Sequence, residues 1–133
     1  MSMPYKKVVF YYSSKVQPEA KYPCDNGKVL ELIKEFEKTG AKVEAIDMET
    51  VKDPFRMYTY ASTGPAASRR NVLGAVRGAD YKDFFGKTIP VLAFFETENE
   101  RRPFEVVPRM DERKGGVLLV EEAIERYLKE GVT

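Results

Sequence analysis

Two apolar runs constrain this chain more than anything else in it: Val8-Val9-Phe10-Tyr11-Tyr12 near the start, and Thr88 to Phe95, whose core is Val91-Leu92-Ala93-Phe94-Phe95. A strand with one face in water alternates apolar and polar residues, whereas unbroken β-branched and aromatic residues belong to a strand covered on both faces. Both runs are therefore placed in the centre of one sheet, with Pro90 at the first position of the second, where a missing donor is tolerated. At 133 residues the chain is long enough for one such core and too short for two, so residues 1–133 are read as a single domain.

The remaining elements follow from periodicity and punctuation. From Asn26 to Thr39, Val29, Leu30, Ile33 and Phe36 recur at helical spacing, and Gly40 supplies a left-handed stop. Ala41 to Met48 alternates Lys42 and Glu44 with Val43 and Ala45, a strand less deeply buried than the first. Strand, helix and strand over this length form a right-handed βαβ unit, so these two strands should run parallel. Residues 54–86 read as two or three short helices broken near Gly64, Gly78 and Gly86. After the second apolar run, Thr97 to Arg102 is a charged turn, Phe104 to Val107 a short returning strand, and Pro108 suits a sheet edge. A loop around Gly115-Gly116 then leads to a last helix, from about Leu119 to Glu130, with Val120, Ala123, Ile124, Tyr127 and Leu128 inward. The order is β-α-β-α-β-β-α: an α/β fold with a four-stranded mixed sheet, helices on both faces, and an enlarged helical segment before the third strand.

Composition removes several function classes. Basic and acidic residues number 22 and 21, so no overall field draws the chain to nucleic acid or to an anionic membrane. No stretch approaches the roughly 20 apolar residues of a membrane span, and Met1 to Lys7 lacks a signal-peptide layout; a soluble, cytoplasmic protein is the expectation. With one cysteine and no histidine, an intramolecular disulfide, a Ser-His-Asp or Cys-His mechanism and a histidine-containing zinc site are excluded. Any catalysis must use the thiol, carboxylates, lysine, arginine or tyrosine.

That order of elements, with Lys7-Val8-Val9-Phe10-Tyr11 as first strand, Tyr22-Pro23-Cys24-Asp25-Asn26-Gly27 as a turn opening a helix, Ala45-Ile46-Asp47 closing the second strand, and Thr88-Ile89-Pro90 opening the third, resembles the thioredoxin fold and its glutaredoxin branch. Gly115-Gly116 look like the paired glycines that glutaredoxins place near bound glutathione. The resemblance implies a catalytic Cys24, a substrate surface of Lys21, Tyr22, Thr88, Ile89, Pro90, Gly115 and Gly116, and a cis Ile89-Pro90 bond exposing a backbone edge for a peptide or glutathione. The resemblance fixes no cofactor, with glutathione or another low-molecular-weight thiol the candidate it suggests, and the partner would be a protein or small-thiol disulfide. Departures are plain. Gly27 stands where a dithiol member has its second cysteine, and the Cys-Gly-Phe-Ser sequence of cluster-binding monothiol glutaredoxins is absent. The loop from Ser13 to Pro23 is longer than is typical of that branch.

Physical chemistry frames the choice at Cys24. A thiolate at a helix N-terminus faces free N–H groups and the positive end of the dipole, which lowers its pKa from about 8.5 toward 7 or below. Lys21 and Lys28 would assist and Asp25 would oppose. The competing reading has Asp25 or Asn26 capping the helix and Cys24 packed inward as a small apolar side chain. Function accordingly divides three ways: monothiol exchange through Cys24, completed by an external thiol; a thioredoxin-fold binding module without redox chemistry; or an assembly component, with Phe55, Met57, Tyr58 and Tyr60 joining a homodimer. A weaker candidate is an anion site at Ser62-Thr63-Gly64-Pro65 with Arg69-Arg70.

Overall fold

The computed structural model describes residues 5–14, 24–50, 90–100 and 103–132. Both apolar runs are central strands. β1 (Lys7–Tyr12) pairs parallel with β2 (Lys42–Asp47), in register from Lys7 opposite Lys42 to Tyr12 opposite Asp47. On its other side β1 pairs antiparallel with β3 (Val91–Phe95), which pairs antiparallel with β4 (Glu105–Val107), so the sheet order is β2-β1-β3-β4. All five residues of β3 are buried, as are the four inner residues of β1, which is why neither run alternates. β2 lies at one end of the described sheet, with Lys42 and Ala45 exposed and its other residues half-buried.

The two-residue repeat of a strand divides these side chains between faces. On one face Val8, Phe10, Leu92, Phe94 and Val107 meet the helices; on the other, Val9, Tyr11, Val91, Ala93, Phe95 and Val106 gather with Met48. The first face has an aromatic centre. Phe94 makes edge-to-face contacts with Tyr5, Phe36 and Tyr127 at centroid separations of 5.5, 5.4 and 5.3 Å. Such pairs contribute about 0.5–1.5 kcal/mol each beyond the area they bury, so one residue of β3 ties the helices from both ends of the chain to the sheet.

α1 (Asn26–Leu32) continues directly into a 3-10 helix (Ile33–Thr39), so the single helix expected from Asn26 to Thr39 tightens halfway. The apolar spacing changes with it: Val29 to Ile33 is a step of four, suited to an α-helix, while Ile33 to Phe36 is a step of three, and residues three apart eclipse in a 3-10 helix. All three are buried. Gly40 ends the element at φ 93°, its N–H donating to the Glu37 carbonyl at 3.0 Å. α2 (Val120–Glu130) packs on the same face as α1 through Ala123, Ile124 and Tyr127. The helices described therefore share one face; the residues 54–86 that were to supply another helical layer lie outside the described residues, as do Phe55, Met57, Tyr58, Tyr60 and the Ser62 to Arg70 candidate anion site.

One expectation is corrected. The expected loop around Gly115-Gly116 is part of a hairpin of β5 (Arg109–Asp111) and β6 (Gly116–Leu118), with Met110 opposite Val117. The Val107–Pro108 bond leading into it is cis. In β5 the usual alternation is inverted, since Arg109 and Asp111 are buried while Met110 is 50% exposed; a pattern that seeks apolar residues inside passes over it. Among the described residues the architecture is a mixed α/β fold with a four-stranded mixed sheet and two helices. No helix of the described residues is long and apolar enough to cross a membrane.

Candidate functional site

Cys24 stands two residues before α1, half-buried against the core that lies under both helices. Asp25, not the thiol, holds the helix start: its Oδ1 accepts from the Lys28 N–H at 3.1 Å, and its carbonyl takes the Val29 N–H at 2.9 Å. A side-chain cap of this kind satisfies one of the donors an α-helix leaves open at its N-terminus. The Cys24 Sγ donates a long bond, 3.8 Å, to Asn26 Oδ1, and Asn26 Nδ2 donates to the Ser13 carbonyl at 2.9 Å, tying the end of β1 to the turn.

A second carboxylate comes from the first turn of α2. Glu121 accepts from the Asp25 N–H at 3.3 Å and pairs with Lys28 Nζ at 3.2 Å. The lysine expected to favour a thiolate is thus engaged by an acid, and two negative charges face the sulfur's side of the helix end. Burial pushes the Cys24 thiol up to about 12, with Glu121 and then Asp25 adding to the rise. The direction is opposite to that of a thiolate favoured by a helix N-terminus and goes with the competing reading of Cys24 as a packed thiol. A thiolate here would lose hydration and meet like charge, and both effects favour the neutral thiol.

Three of the other expected site residues fall within the described residues. Pro90 is buried immediately before β3, while Lys21, Tyr22, Thr88 and Ile89, and with Ile89 the geometry of the bond to Pro90, lie outside the described residues. Gly115 closes the β5–β6 turn at φ 77°, its N–H donating to the Asp111 and Glu112 carbonyls at 2.9 and 3.2 Å. Gly116 opens β6. At Gly27 an added Cβ would meet Asp25 Oδ1 at an ordinary 3.5 Å, so the position has room for a side chain.

Among the described residues, a buried polar cluster that the sequence did not single out centres on Arg109. Arg109, 2% exposed, donates from Nε to Glu105 Oε2 at 2.9 Å, from Nη1 to Asp111 Oδ1 at 3.1 Å and from Nη2 to the Tyr127 hydroxyl at 3.1 Å. The Tyr127 hydroxyl donates in turn to Glu105 Oε2 at 2.8 Å. Asp111 accepts from Arg126 at 2.9 Å and from the Lys114 N–H at 3.0 Å. Burial and the neighbouring Glu105 raise the Tyr127 pKa, and the Arg126 hydrogen bond lowers that of Asp111. Tyr127 stays neutral and Asp111 ionised at pH 7, and the cluster joins β4, the hairpin and α2. The one legible trace was Glu105 and Arg109, opposite charges four residues apart across Pro108.

Between α1 and α2 runs a groove of about 420 Å³ floored by Leu32, Ile124 and Leu128, with Lys28, Glu121 and Glu125 among its rim. Among the described residues no group of three or more cysteine, aspartate or glutamate side chains is arranged to hold a metal ion. No family model matches the chain, and neither curated proteins nor solved structures provide a match.

Proposed function

We propose that the chain is a thioredoxin-like module that works by holding a protein partner, with Cys24 outside any redox cycle. The thioredoxin-like part of the reading is supported by the parallel β1–β2 pair, the antiparallel β3–β4 pair that follows, and the cysteine at the entry to α1. The non-redox part rests on one observation: Asp25 and Glu121 place carboxylates at the end of α1 where a thiolate would need positive potential. A thiol kept protonated at neutral pH attacks disulfides slowly, because the thiolate is the nucleophile.

The test is the rate of Cys24 alkylation by iodoacetamide against pH, followed by mass spectrometry of the native protein. No midpoint below about pH 9 is expected, set against about 8.5 for a free cysteine. Glutathione-dependent reduction of a mixed disulfide should be equal for the parent and Cys24→Ser, and both tagged chains should retain the same proteins from extract. A midpoint below about 8, with turnover lost in Cys24→Ser, would overturn the proposal in favour of monothiol exchange. The half-exposed position of Cys24 beside α1 is the observation that keeps this second reading in play.

A further inference from the structure

We draw no further inference here: the strongest candidate, the apolar groove between α1 and α2 floored by Leu32, Ile124 and Leu128, is an unpartnered face whose rim acids Glu121 and Glu125 are already paired with Lys28 and Lys129, and nothing in the structure shows what covers it.

Discussion

Replacing Arg109 by methionine tests whether the buried polar cluster holds the C-terminal third of the fold. Methionine preserves the length of the side chain and much of its packing, and a volume-conserving exchange in an ordinary apolar site costs less than about 1.5 kcal/mol. Here the exchange also removes the cation that faces Glu105 and Asp111, which are 0% and 6% exposed. Breaking a buried ion pair from one side costs about 3–5 kcal/mol, because the remaining charge stays desolvated. For a chain of this size each kcal/mol lowers Tm by roughly 3–5 °C, so a fall of roughly 10–25 °C is expected. Urea unfolding followed by circular dichroism gives the free energy, and an unchanged m-value would show that the same surface is exposed. Adding Glu105→Leu removes the stranded charge, so the double variant should recover stability relative to Arg109→Met alone. Two results would refute the reasoning: Arg109→Met within about 1 kcal/mol of the parent, far below the cost of a broken buried pair, or a double variant whose losses simply add.

Other expectations follow from the same contacts. Glu121→Gln keeps the side chain's shape and removes one of the charges that raise the Cys24 pKa, so the alkylation midpoint should move down; an unmoved midpoint would remove Glu121 from the causes. Asp111 has a folded pKa below its unfolded value of about 3.9. Its contribution is complete above that unfolded value and is lost as pH falls through the folded one, so the stability of Asp111→Asn relative to the parent should improve on acidification below about pH 4. Gly115→Ala should cost about 1–2 kcal/mol, because its φ of 77° is unfavourable for a residue with a Cβ, even though the space is open. Gly116→Ala, with ordinary φ and no neighbour within 4 Å, should stay within about 0.5 kcal/mol of the parent; equal costs at the two positions would contradict the turn geometry.

The contrast between β3 and β5 explains which parts of the fold were legible. β3 is buried on both faces, and its residues announce this by being apolar without a break. β5 is equally a strand, but its inward residues are Arg109 and Asp111, and its outward Met110 is the one a pattern would place inside. Charge is tolerated there only because Glu105, Tyr127 and Arg126 arrive from β4 and α2. No local window holds all of these groups. Cys24 presents the same difficulty on a smaller scale: Asp25 lies next to it in the chain and its opposing effect was foreseeable, while Glu121 is 96 residues from Asp25 and reaches it only through the packing of α2 on α1.

By itself, the sequence determined the two central strands, the parallel βαβ unit, the placement of both helices and the glycine stops, because hydrophobic period and backbone freedom are properties of neighbouring residues. Only the tertiary structure decided the hairpin, the buried ionic cluster and the acidic surroundings of Cys24. Each of these depends on charges brought together from distant positions, and their energies are set by how little water remains between them.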